Sequence, residues 1–403
     1  MERWDAVVVG GGAAGVFAAL RAKALTPSLE IVVLERSPKP LRKVLISGGG
    51  RCNVTHACHD LDLLLACYPR GGYRLEPILS RFMPADTVQW FEERGVRLKT
   101  EKDGRMFPVT NSSETIADCL LGEARKLGVE IRTGARVDGL ERSGERFHLK
   151  SGGQTLTTSK LLLATGGASK ATHWLKQWSH EVVPDIPSLF TFCCDHPLIQ
   201  GLQGVSVPVA RLTLKTEPSY EAEGPFLITH WGVSGPAVLK LSAFAARTLA
   251  ESNYQAEFEC DFLPFYPDEV VLETLVQQDK PKQVSTTIVF EEISKRLWKR
   301  LVTQASISKD KRWGKLSDHG FQGLVDTLKR TVLKVSGKGV FKEEFVTAGG
   351  LPLKEIDVYT MESKRVPGLY VAGELLNVDG ITGGFNFQNA WATGFIAGEG
   401  LAG

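Results

Sequence analysis

The sequence predicts an α/β protein in which a parallel-sheet domain is interrupted by a stretch of short strands and a small helical region. Three observations carry this expectation. Ala6 to Gly15 reads AVVVGGGAAG, an apolar, β-branched run suited to a strand buried on both faces, running straight into glycines. Two similar runs, LLLATGG (Leu161 to Gly167) and GLYVAGE (Gly368 to Glu374), lie far apart in the chain. Between them the pattern changes. From Ser188 to Leu263 short alternating strands appear, such as ARLTLK and QAEFECDF. After a break at Pro264 to Pro267 it turns helical to about Leu333, in EEISKRLWKRLV and GFQGLVDTLKRTVL.

The first element is the most specific. Gly10-x-Gly12-x-x-Gly15 follows its strand directly, and the small apolar helix VFAALRAKAL comes next. The second strand, IVVLE, ends at Glu35, twenty residues past Gly15. Strand, glycines, helix, strand and acid in this order form the dinucleotide fingerprint. Gly10 permits the tight turn, Gly12 lets backbone approach a pyrophosphate, and Gly15 lets helix and strand pack closely. Ala13 and Ala14 open the helix, whose free amides and dipole favour phosphate. Glu35 is placed to accept hydrogen bonds from adenosine ribose hydroxyls, with Arg36 beside it.

These residues leave NAD and FAD open. The C-terminal segment helps decide. Gly380 to Gly384 is a glycine-rich loop opening a small-residue helix from about Asn386. Such a helix start caps an anion or a polarised carbonyl. In FAD enzymes of this architecture it faces the flavin pyrimidine edge, where negative charge accumulates on reduction. A chain whose two ends build one site is a discontinuous FAD domain, which a simple NAD dehydrogenase does not need.

Composition sets the outer bounds. The 403 residues allow two or three domains. No run of eighteen apolar residues appears, so no membrane span is expected. The chain enters its first strand at once, so no signal or transit peptide is expected either. A cytoplasmic setting follows, or a plastid if a longer precursor exists. The seven cysteines are odd in number, irregularly spaced and lack C-x-x-C, which fits a reducing compartment. Cys52, His56, Cys58 and His59 match no zinc-module spacing, so no metal is expected.

Three blocks together resemble one family: KPLRKVLISGGGRCNVTH, THWGVSGPAVL and VPGLYVAGELLNVDGITGGFNFQNAWATG. They are similar to the YhiN/BaiN-type NAD(P)/FAD-dependent oxidoreductases, from Asp5 to Leu401, and look most like versions from photosynthetic lineages. The resemblance implies a Rossmann-like, glutathione-reductase-type FAD domain from residues 1–187 and 345–403. It implies a β-barrel-like insertion from 188–266 and 334–344, and a basic helical subdomain from 267–333. One departure stands out. After the ATGG strand, family members often carry a glycine-rich, Asp-containing turn and helix, where this chain has GGASKATHWLKQWSHEVVPDIPSL, Gly166 to Leu189.

Around the flavin, Lys43 and Arg51 are candidates to compensate the charge of the reduced ring or of the phosphates. Arg51 is also a catalytic candidate. Asn53 and Asn386 are candidates to hydrogen-bond flavin polar edges, or to make turns. Glu374 and Asp379 flank the closing loop, and one of them is a candidate to meet the ribityl or pyrophosphate region, with a simple turn role as the alternative for Asp379. Further cofactor-contact candidates are Ser47, Gly49, Val137, Thr165, Gly166, Gly373, Gly384 and Phe385. Cys52 has two readings, a thiol contacting the flavin that donates a proton to substrate, or a small buried residue filling a gap. His230 is the alternative acid.

Neither a second GxGxxG in strand context nor a C-x-x-C pair exists, so NAD(P)H is expected to dock transiently at the flavin face. Charge bears on the substrate. From Lys280 to Lys342 there are fifteen Lys and Arg against five Asp and Glu, a net +10 in a chain of +2. Trp298 and Trp313 are interleaved. This pattern is a candidate phosphate-backbone footprint, or a solvated helix face. The resemblance implies reduction of a conjugated C=C bond by hydride from flavin N5. The substrate is then uridine in ribosomal RNA, giving dihydrouridine, or an unsaturated steroid-type small molecule. The basic region favours RNA. A small-molecule oxidase and a non-catalytic flavin and RNA-binding module are the alternatives.

Overall fold

The first strand starts earlier than its apolar run, at Glu2, because Glu2, Arg3 and Trp4 pair in parallel with Leu156, Thr157 and Thr158. A computed structural model describes residues 1–167, 170–339 and 346–403. Ala168 and Ser169, inside the departing segment, and Lys342, at the end of the basic region, lie outside the described residues. The chain forms two compact units, Met1–Ile186 with Val346–Gly403, and Pro187–Phe345.

In the first unit the order is β1 (Glu2–Val9), α1 (Ala13–Leu25), β2 (Ile31–Leu34), α2 (Ser113–Leu127), β3 (Glu130–Arg132), β4 (Val137–Ser143), β5 (Arg146–Ser151) and β6 (Gln154–Leu163). The parallel core of its sheet runs β3-β2-β1-β6, extended beyond β6 by the antiparallel meander β5-β4. Ala6 to Val9 and the whole of β2 are buried, as the apolar runs require.

The second unit contains β7 (Ser206–Leu214), β8 (Tyr220–Ile228), α3 (Pro236–Phe244), β9 (Ala256–Asp261), α4 (Asp268–Val276), α5 (Lys295–Gln304), α6 (Asp318–Lys329) and β10 (Thr331–Val335). The sheet order is β10-β9-β7-β8, then Gly232–Ser234, Phe192–Cys193 and Gly337–Lys338. The two edge strands are separated only by Ser336, so nearly continuous chain borders both edges and the sheet curls on itself. Phe258 of β9, Trp298 of α5 and Leu324 of α6 belong to one continuous core.

The helical pattern expected to reach Leu333 stops at Lys329. Thr331 to Val335 instead alternates buried and exposed and pairs with β9, because β-branched Thr331 and Val332 favour a half-buried strand over a helix end.

The chain then returns to the first unit. β11 (Leu369–Val371) pairs parallel with the C-terminal half of β6, and α7 (Phe385–Ala402) packs on α1. The contact is close: a Cβ on Gly394 would sit 2.7 Å from Ala14 O, and one on Gly398 2.6 Å from Ala18 O. Small residues on both helices let the two ends of the chain meet at the glycine loop.

A dinucleotide cradle closed by the C-terminal helix

The turn after β1 separates two kinds of glycine. Gly10 has φ +118°, and a Cβ there would lie 2.2 Å from Ala164 O; a Cβ on Gly15 would lie 2.0 Å from Gly10 O. Both are required by packing. A Cβ on Gly12 would meet nothing within 4 Å. That glycine keeps space open for something outside the chain. The first intrahelical bond is Val16 N to Gly12 O at 3.0 Å, so the amides of Ala13, Ala14 and Gly15 precede the helical ladder. Open space before a helix start fits a pyrophosphate.

Glu35 borders the same turn. Its Oε2 accepts from Gly11 N at 2.8 Å and its Oε1 from Ser37 N at 2.7 Å. Two backbone bonds fix the carboxylate and leave lone pairs for ribose hydroxyls. Arg36 is exposed, and Val137 is buried at the start of β4. The donor set of a dinucleotide site is therefore present in β1, α1 and β2.

The stretch from Ser47 to His56 forms a kinked turn, with Gly48, Gly49 and Gly50 all at positive φ. Gly49 is exposed with nothing within 4 Å of a Cβ. Ser47 Oγ donates to Val44 O at 3.0 Å. With its amide oriented to satisfy both sides, Asn53 donates to Thr55 O and accepts from Gly384 N at 2.9 Å. Asn53 thus ties this turn to the start of α7. Gly384 itself, at φ +100°, would place a Cβ 2.6 Å from the Thr55 backbone.

The charged candidates are partnered. Arg51 Nη1 lies 2.7 Å from Glu101 Oε1, and its guanidinium stacks 4.0 Å from the Phe107 ring centre. Lys43 Nζ lies 2.5 Å from Glu374 Oε2, while Glu374 Oε1 accepts from Thr347 N. Lys43 and Arg51 are thus each half of an ion pair within this unit. Asp379 is fully buried and both its oxygens are taken by Arg70. Asn386 folds back on its own loop, accepting from Gly380 N at 2.9 Å and donating to Gly380 O at 2.8 Å. Gly373 N donates to Thr393 Oγ1, and Gly166 lies near Glu374. Thr165 is half-buried after β6, and Phe385 is buried with its ring stacked on His56.

Cys52 has no exposed surface and a φ of +57°. Burial pushes its thiol up to about 12, opposed by a hydrogen bond from Ser47. His230, in the second unit, is exposed in the turn after β8. Among the described residues no three His, Cys, Asp or Glu side chains converge on a cation position.

Several site-building residues escaped the sequence. Arg70 stands 309 positions from Asp379. Gln388 accepts from Thr55 Oγ1 at 2.7 Å and Thr87 Oγ1 at 2.8 Å, and Trp391 Nε1 donates to Val54 O. No local pattern announces such partners. The interleaved Trp298 and Trp313 were expected beside the basic charges, but both are buried, and Trp298 Nε1 donates to Val284 O at 2.8 Å. Trp298 lies on the buried face of α5 and Trp313 in the short 3-10 turn Trp313–Lys315, and both are taken up by the core.

Fold and cradle define a flavoprotein with a Rossmann-type FAD-binding domain. The chain belongs to the family described as HI0933-like protein Rossmann domain, whose model matches residues 4–400. It is an FAD-dependent oxidoreductase. A ribosomal RNA dihydrouridine synthase of Escherichia coli is 31% identical over 100% of this chain and 98% of its own length. A 3-dehydro-bile acid delta(4,6)-reductase of Clostridium scindens is 29% identical over 98% of each. Among solved structures, 3-ketosteroid delta1-dehydrogenase from Sterolibacterium denitrificans has a TM-score of 0.53 at 14% identity, covering 100% of both chains. Escherichia coli quinol fumarate reductase FrdA has 0.52 at 14%, covering 100% of this chain and 70% of its own. These two share the fold. No helix among the described residues is long and apolar enough to cross a membrane.

Proposed function

We propose that the protein reduces uridine in ribosomal RNA to dihydrouridine, with NAD(P)H as the transient reductant. The observation that carries the RNA substrate is the charge of the second unit. On α5, Lys295, Arg296, Lys299 and Arg300 are exposed while Leu297, Trp298, Leu301 and Val302 are buried. One face of a helix is thus a row of cations, the electrostatic footprint of a phosphate backbone. The 31% identical relative with a ribosomal RNA dihydrouridine synthase name supports the same reading.

FAD, when bound, supplies hydride from N5. The chain's residues do the rest. The amides of Ala13 to Gly15 receive the pyrophosphate and Glu35 orients the ribose. The N-terminus of α7, held to the Ser47–His56 turn through Asn53, would turn its first-turn amides toward a developing negative charge. The Lys43–Glu374 and Arg51–Glu101 pairs keep local net charge low while retaining donors. For the proton, His230 is exposed and Cys52 is not. We assign packing to Cys52, whose side chain has no exposed surface, so Cys52→Ala leaves turnover unchanged.

The test is mass analysis of ribosomal RNA from a strain lacking the protein. The expected result is one uridine without its two added hydrogens, restored by purified protein and NADPH. Unchanged RNA ends the proposal, and turnover of a steroid enone with RNA untouched selects the bile-acid-reductase reading instead. Anaerobic mixing with NADPH and NADH checks the reductant, which is excluded if neither bleaches the flavin.

A further inference from the structure

Of the eight tryptophans, seven are buried or half-buried, and Trp231 is 67% exposed. It sits in the turn between β8 and Gly232–Ser234, with exposed His230 before it. The turn is held rigidly. Thr229 N donates to Gly232 O at 2.8 Å, and Cys194 N donates to Trp231 O at 3.1 Å. A Cβ on Gly232 would lie 2.2 Å from Phe192 O, so backbone is pressed directly on backbone there. The chain therefore fixes the Trp231 backbone on both sides and leaves its ring in water. Core packing gives no reason for that arrangement.

The same turn is wired to the basic helix. Gly204 N donates to Ile228 O at 2.9 Å, at the end of β8. In the loop just before Gly204, Gly201 O accepts from Arg296 Nη2 at 2.6 Å and Gln200 O from Arg300 Nη2 at 3.0 Å. One short loop thus links the exposed indole to α5, whose Lys295 and Lys299 are exposed with no ion pair among the described residues. An exposed aromatic ring on a rigid turn, tethered to a row of cations, combines the two parts of a single-stranded nucleic-acid site: a stacking platform and a backbone track.

We infer that Trp231 is a stacking platform for an unpaired nucleobase of RNA, whose flanking phosphates are met by α5. This rests on the RNA reading above and deepens it. Unpaired bases are what an aromatic side chain can reach, since bases within an RNA helix are already stacked. A target uridine presented out of its helix meets that condition.

The experiment measures binding of a fluorescein-labelled oligouridylate to the FAD-loaded protein across a salt series. Trp231→Ala is expected to weaken binding about 5- to 150-fold, with the salt slope unchanged, because stacking releases no counterions. Trp231→Phe keeps most of the affinity. Unchanged circular dichroism and melting of both variants show that the fold around Trp231 is intact. Wild-type affinity in Trp231→Ala overturns this inference and leaves the RNA reading standing. No binding of oligouridylate or ribosomal RNA by the wild-type protein overturns both. Equal loss in Trp231→Ala and Trp231→Phe also overturns it, because a stacked base accepts either ring.

Discussion

In the reading proposed above, the glycine cradle after β1 and the basic face of α5 both meet phosphate, by opposite means. The cradle presents backbone amides, excludes a side chain at Gly12, and keeps its cations paired with carboxylates. The helix uses side-chain charge alone, with Lys295 and Lys299 standing in solvent. The difference teaches what each ligand demands. A cofactor that stays bound needs fixed donors in one geometry, which only backbone supplies without entropy loss. A long polyanion that binds and leaves needs net charge, which exposed lysines supply in a salt-sensitive form.

The largest effect should come from the pair that anchors the closing loop. Arg70→Ala removes the guanidinium that meets both oxygens of the fully buried Asp379, and is expected to cost about 3–5 kcal/mol in chemical denaturation. A cost near zero would mean that the loop is held by the glycine turn instead. Next comes the cradle. Gly12→Val is expected to weaken FAD binding on the order of a hundredfold with the apo-protein melting point unchanged, since a side chain there clashes only with ligand. Gly10→Val, by contrast, should lower the melting point itself, because its Cβ meets Ala164. Equal behaviour of the two variants would erase the distinction between ligand space and packing.

The lysines should act more mildly. Replacing Lys295 and Lys299 together with alanine is expected to reduce the salt slope of RNA binding by about 1–2, with flavin content untouched. Flavin loss in that variant would break the separation of the two phosphate sites.

The smallest effect at neutral pH concerns a buried pair away from both. The Glu355 carboxyl is held down at about 2 chiefly by Arg365, helped by His180, and opposed by burial. His180 also contacts Ser363 at 3.1 Å, but that hydroxyl is buried and accepts the Arg365 and Val366 amides, so the trio is structural. A depressed folded pKa gives stability that is complete above the ordinary value of 4.5 and lost as pH falls toward 2. Glu355→Gln should therefore flatten the acid limb of a denaturation profile between those values, and a superimposable limb would refute the assignment.

The stretch Gly10 to Glu35 was legible in the sequence because strand, turn, helix and acid are local, each specified by neighbours a few positions away. The distant runs Leu161–Leu163 and Leu369–Val371 were legible as buried strands for a similar reason, and they pair in one parallel sheet. The expected roles of Lys43, Arg51 and Asp379 were harder to read. Their residue types signalled charge, yet the partners Glu374, Glu101 and Arg70 come from 50 to more than 300 positions away. Trp298 and Trp313 show the same limit: helical spacing placed them among lysines, and packing turned them inward.

By itself, then, the sequence determined the class of fold, the FAD cofactor and the charge of the basic region, all of which depend on short-range pattern and composition. Tertiary structure alone decided which charges are already neutralised, that Cys52 is sealed away, and that Trp231 is the tryptophan left in water. Those outcomes depend on which surfaces meet across the chain, and side-chain exposure is a property of the packed molecule, absent from any local window of residues.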